Sequence, residues 1–160
     1  MKEEPIDPVA EIQKIIDSGP DIGKAPPYVR GMDLTALIFK SVSVGRFEME
    51  WVIGGHLTHY DGVVQGGIVN VIADTGQAFA FWSTSTGPDT TVTSEFTTRF
   101  FRPMKTGDVI DVFSEVINRS RRMGVVESKF INRETGKLCA MVVGSWMTAK
   151  RDFGEGESAG

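Results

Sequence analysis

The alternation of apolar and polar positions divides the chain into helical and extended stretches. Val9, Ile12, Ile15 and Ile16 share one face of a short helix. Asp7 is its candidate N-cap, Pro8 takes the first helical position, and Gly19-Pro20 stops it. Residues 21–31 are rich in Pro and Gly and read as a connection. Leu34 to Val44 is rich in Leu, Ile, Val and Thr and ends in a turn at Gly45. Phe47, Met49 and Trp51 then alternate with Glu48 and Glu50, the period of a half-buried strand. Gly54 to Gly62 is irregular.

Gly66 to Trp82 differs in kind. Ile68, Val69, Ile72, Ala73, Gly76, Phe79 and Ala80 recur at helical spacing and leave the helix apolar around most of its girth. Such a helix is buried on several sides. Asn70, Asp74 and Gln77 form one narrow polar stripe along it. Beyond Gly87-Pro88 the pattern is extended: Thr90–Phe101, Val109–Ile117, Val125–Asn132 and Leu138–Thr148, separated by Gly-containing turns. The last three predict an antiparallel meander. The fold class is α+β, with an antiparallel sheet wrapped around one long central helix. Residues 1–33 form an N-terminal helix and lead-in, 34–150 the main domain, and 151–160 a Gly- and charge-rich tail expected to be mobile.

Composition narrows the function. The chain has 160 residues, enough for a core that needs no metal or disulfide staple. Its formal net charge of −4 argues against a dedicated nucleic-acid binder. Cys139 is the single cysteine, so an intramolecular disulfide is impossible. No apolar run is long enough to span a membrane, and the first residues lack the apolar core of a signal peptide. A soluble cytoplasmic protein is expected.

The candidate chemistry lies in His59–Asp74. Gly66 and Gly67 open the long helix, where main-chain N–H groups have no internal partner and the helix dipole is positive. With no Cβ in the way, a carbonyl oxygen gaining negative charge can be held there. The pair also suits a plain tight turn. Asp74, two turns on, must find a partner or a cleft, because burying a bare carboxylate is costly. A solvated or subunit-facing stripe shared with Asn70 and Gln77 is the alternative. His56 and His59, with Asp61 nearby, have a spacing that suits a metal. Catalytic zinc normally takes three protein ligands, and no metal or cofactor is expected. Arg119, Arg121 and Arg122 cluster at a predicted turn, and with Arg99 and Arg102 they are candidate phosphate contacts or ordinary surface cations. Phe79, Phe81 and Trp82 suit an acyl pocket or the core, and Cys139 reads as a small apolar filler.

The stretch from His59 through Gln65-Gly66-Gly67 to Ala73-Asp74-Thr75 resembles the signature of hotdog-fold acyl-CoA thioesterases, in the PaaI-like (phenylacetate-pathway) branch. Phe100-Phe101-Arg102-Pro103, Thr106-Gly107-Asp108 and Gly136-Lys137-Leu138-Cys139-Ala140 resemble further stretches of that family, so the likeness runs from about 45 to 150. It implies hydrolysis of acyl-CoA to a free acid and coenzyme A, coenzyme A being part of the substrate. Asp74 would be the base or nucleophile, and Gly66 the oxyanion donor with Gly67 beside it. His59 and Gln65 would lie in the loop that positions water or thioester. Thr93 takes the place of a Ser that some relatives set facing the carboxylate across the dimer. Asn70, Phe79, Arg102, Arg121 and Arg122 are the candidate substrate contacts. The resemblance implies a homo-oligomer, a dimer of dimers, with Asp74 and Gly66 of one site on different chains. The sequence departs from the family pattern in Gln65, where relatives carry His, and in His59, where they carry Asn or Gln. A hotdog protein that binds an acyl ligand without turnover, and a hotdog dehydratase, are the rival readings.

Overall fold

The computed structural model describes residues 6–19, 23–87 and 90–149. The tail expected beyond Arg151 lies outside them. Helix α1 (Pro8–Ser18) is capped by Asp7, whose side chain accepts from the N–H groups of Val9 and Ala10. Ile12 on its inner face is fully buried, whereas Ile15 is exposed. Where only a connection was expected, Pro27–Gly31 forms a short helix, α2, started by a proline at its first position. Six antiparallel strands follow: β1 (Leu37–Ser43), β2 (Arg46–Val52), β3 (Thr90–Phe100), β4 (Val109–Arg119), β5 (Met123–Asn132) and β6 (Leu138–Ala149). Between β2 and β3 runs α3 (Gly66–Trp82), 17 residues with the bounds expected from periodicity. No helix among the described residues is long and apolar enough to cross a membrane.

The strands form one sheet in the order β1-β2-β4-β5-β6-β3. The meander β4-β5-β6 is as expected, but β3 adds to the far side of β6 and so becomes an edge. Alternation sets the inner face: Phe47, Met49 and Trp51 of β2, Ile110 and Val112 of β4, Val126 and Phe130 of β5, Val142 and Trp146 of β6. Helix α3 lies on this face against β2, β3, β4, β5 and β6, and its Phe79 reaches Phe39 of β1. Close approach is possible where side chains are small. A Cβ on Gly76 would stand 2.6 Å from Ser114 Oγ, and one on Gly144 2.1 Å from Gln77 Oε1.

Both ends of α3 are tied down. At its C-terminus, Ser83 Oγ donates to Ala80 and accepts from the Gly45 N–H of the β1–β2 turn, and Arg119 lies 4.4 Å over the Phe81 ring. Before its N-terminus, Val64 N–H donates to Met104 at 2.9 Å and Gln65 N–H to Leu57 at 3.2 Å.

Gln77 corrects one expectation. It does not share a solvated stripe, for it is 0% exposed. Its Nε2 donates to the Val142 carbonyl at 3.0 Å, and its Oε1 accepts from Trp146 Nε1 at 2.9 Å. Gly144 leaves the room this needs. Gln77→Leu, similar in volume, orphans the Trp146 N–H and is expected to cost about 1–3 kcal/mol. The drop should show as a lower urea midpoint at unchanged slope. An unmoved midpoint would mean that neither bond contributes.

Candidate active site

Asp74 projects from the middle of α3 toward β3, half-buried. Thr93 Oγ1 donates to its Oδ1 at 2.6 Å. One turn earlier on the same face, Asn70 Oδ1 accepts from Thr98 Oγ1. Thr93 was expected to face a carboxylate across a dimer. It reaches the Asp74 of its own chain, because β3 lies against the polar stripe of its own α3.

The two threonines are five positions apart and would fall on opposite faces of a regular strand. The β3–β6 register breaks between Thr93 and Glu95, and this bulge puts both hydroxyls on the helix side. Burial follows it: Thr91 and Thr93 are half-buried, Ser94 and Glu95 are exposed, and Phe96 and Thr98 are half-buried again. Thr98 was missed as a site residue. The two consecutive polar residues Ser94-Glu95, which interrupt the alternation, are the signal that marks the break.

The N-terminus of α3 opens onto a groove. Gln65 is its N-cap, with an extended backbone and no side-chain cap bond. Among the described residues, no acceptor is recorded for the N–H of Gly66 or Gly67. A groove of about 380 Å³ runs past Gly66, lined largely by apolar side chains, Val63, Val69, Phe100, Phe101 and Met104 among them. The Phe100 ring lies close enough that a Cβ on Gly66 would meet its Cζ at 3.2 Å. Phe100 and Phe101 are about half exposed.

The remaining candidates separate. His59 and Gln65 are exposed; the backbone of His59 closes a turn with Gly62 and Val63. His56 is structural, its Nε2–H shared between the carbonyls of Met32 and Asp33 at 3.1 and 3.2 Å. Arg102 lines the groove and donates to the Leu138 carbonyl at 2.7 Å. Arg121 and Arg122 are exposed on the β4–β5 turn, at the opposite end of the strands from Gly66 and Phe100. Arg119 is drawn off to Thr84 and the Phe81 ring. Phe79 packs with Phe39 and Phe47 in an aromatic cluster, and Phe81 is buried beside Trp146. Cys139 is buried as expected, and burial raises its thiol pKa, the opposite of what a nucleophile needs.

An antiparallel sheet curled on one long central helix is the hotdog architecture. The thioesterase superfamily model matches residues 61–139, and the fold is that of PaaI-like hotdog proteins. The Escherichia coli PaaI protein of the phenylacetic acid degradation operon superposes with a TM-score of 0.72 at 18% identity, covering 88% of this chain and 95% of that one. A phenylacetic acid degradation-related protein of Ralstonia eutropha gives 0.67 at 25% identity, over 79% and 94%. A Streptococcus mutans protein bound to acetyl-CoA gives 0.67 at 17% identity, over 71% and 89%. No curated protein sequence matches the chain.

Gly66→Pro probes this helix start. Proline suits the first helical position, and the extended backbone of Gln65 (φ −64°, ψ 127°) is what a residue before proline prefers. Proline removes an N–H for which no protein acceptor is recorded among the described residues, and its Cβ meets the end of the half-exposed Phe100 ring at 3.2 Å, so that ring must yield by a few tenths of an ångström. The variant is expected to keep its helix content by circular dichroism and a melting temperature within a few degrees of wild type. A collapsed fold would show that the Gly66 N–H carries structure.

Proposed function

We propose that this protein is an acyl-CoA thioesterase that hydrolyses its substrate by general-base catalysis at Asp74. The observation that carries the reading is the half-buried Asp74 carboxylate, held on one oxygen by Thr93, in a chain whose central helix starts with two unengaged N–H groups. A thioester has a good leaving group; it needs a base, a placed water and an oxyanion site. With Oδ1 accepting from Thr93, Oδ2 is left to take a proton from water. The water oxygen attacks the thioester carbon, and its proton passes to Asp74. The carbonyl oxygen takes up the negative charge and is met by the Gly66 N–H, with Gly67 beside it. Collapse of the adduct breaks the C–S bond, and the coenzyme A thiolate recovers the proton from Asp74. The acetyl-CoA held by the Streptococcus mutans protein of this fold supports coenzyme A as the carrier.

Distance argues that each site is shared between two copies. Eight residues separate Gly66 from Asp74 on one straight helix, a rise of about 12 Å. A base acting through one water and an oxyanion donor both work at hydrogen-bond range from the same carbonyl, about 3 Å each. The pair that acts together is therefore Asp74 of one chain and Gly66 of another. The edge strand β3, which carries Thr93 and Thr98, offers an open main-chain rim for the second copy. A homodimer is the least assembly this requires, and a dimer of dimers fits the same reading.

Thiol release from short, medium, long and aryl acyl-CoAs tests the function. Wild type should turn over part of this panel. Asp74→Asn should lower kcat by about 10²–10⁴, and Gly66→Pro by about 10²–10³. Tight binding without turnover in wild type would favour the non-catalytic acyl-binding reading, for which the exposed Gln65 and His59 are the motive.

A further inference from the structure

We propose that Asn70 is a second catalytic residue of this site, holding the attacking water for Asp74, and that Thr98 is the positioning residue that aims it. This rests on the hydrolytic reading above and goes beyond it. Asn70 and Asp74 stand one turn apart on one helix face, where Cβ atoms lie about 5–6 Å apart. Both are half-buried, and each accepts from a threonine of β3. A carboxylate needs no help in choosing which edge to present, whereas a carboxamide does. Its oxygen accepts and its nitrogen donates, and the two differ only by a flip. The hydroxyl of Thr98 has one proton and gives it to Asn70 Oδ1. In this orientation the two Nδ2 hydrogens turn away from Thr98, and no protein acceptor is recorded for them among the described residues.

A water between these groups is fully specified. One lone pair accepts from Asn70 Nδ2 and one proton goes to Asp74 Oδ2. The other lone pair forms the bond to the thioester carbon. Asn70 stays neutral throughout and only orients. The bulge at Ser94 has a purpose in this arrangement, because without it Thr93 and Thr98 would not both face α3.

The test uses the full chain with its best acyl-CoA. Asn70→Ala should lower kcat by about 10²-fold, the usual penalty for losing alignment, with KM little changed. Binding of a non-hydrolysable thioether analogue, followed by calorimetry, should match wild type. Added methanol should compete better with water in this variant, so the ester-to-acid product ratio should rise. Thr98→Val should show the same pattern more weakly, and Thr98→Ser should restore wild-type kcat and product ratio, a rescue that a merely structural threonine would not tie to the product ratio. An Asn70→Ala enzyme with kcat within twofold of wild type overturns the proposal. So does a loss confined to KM and analogue binding, which would make Asn70 a substrate contact. If Asn70→Ala does not fold, the Thr98→Val and Thr98→Ser pair decides alone. Failure of the parent reading looks different: wild type inactive across the panel, or Asp74→Asn as active as wild type.

Discussion

A helix that is apolar nearly all round can be buried only if the few polar side chains on it are answered, and the architecture follows from how α3 meets that condition. Its polar stripe runs Asn70, Asp74, Gln77, and the three residues meet different fates. Gln77 faces β6, where Trp146 and the Val142 carbonyl satisfy it, and it becomes part of the core. Asp74 and Asn70 face β3, an edge strand that offers only hydroxyls. One hydroxyl satisfies one oxygen of a carboxylate and leaves the other oxygen in want of a proton. Passing from the interior of the sheet to its rim, the stripe therefore changes from fully satisfied to partly open.

The same helix separates its own two chemical ends. The N–H groups of Gly66 and Gly67, with no acceptor recorded among the described residues, lie about 10–12 Å along the axis from Asp74, in this account farther than one carbonyl can bridge. Main-chain pairing of Val64 with Met104 and of Gln65 with Leu57 holds the N-terminus in place, and Ser83 holds the other end. A rigid helix cannot bend to close that gap. A second copy can, by bringing its own Gly66 to the first copy's Asp74. In this account oligomerisation is part of the active site and not an addition to it.

Much of this was legible in the order of residues. The bounds of α3 followed from apolar spacing between paired glycines and a Gly-Pro stop, and six strand segments followed from composition, alternation and turn residues. Asp7 as cap and Cys139 as filler were equally readable. What was not legible depends on non-local pairing. Nothing local to Thr90–Phe100 says that it joins β6 and forms an edge, so the role of Thr98 was hidden and the reach of Thr93 to its own Asp74 was misplaced. Gln77 was grouped with Asn70 and Asp74 because spacing on a helix carries no information about which strand lies opposite. The Arg cluster read as one patch, yet Arg119 turns back onto Phe81 and Thr84, leaving Arg121 and Arg122 on the turn. Helix α2 was lost in a Pro-rich stretch, although Pro27 at its first position was a usable start signal.

The central claim is that each site takes Asp74 from one chain and Gly66 from the other. Co-expressing Asp74→Asn and Gly66→Pro chains under different tags, and assaying the mixed oligomer, tests it most directly. In a mixed dimer one site pairs an intact Gly66 with an intact Asp74, and the other holds both defects. The account predicts about half of wild-type activity for the isolated mixed dimer, and about a quarter for the unfractionated product of random pairing. Mixed oligomers no more active than the two variants measured apart would contradict it.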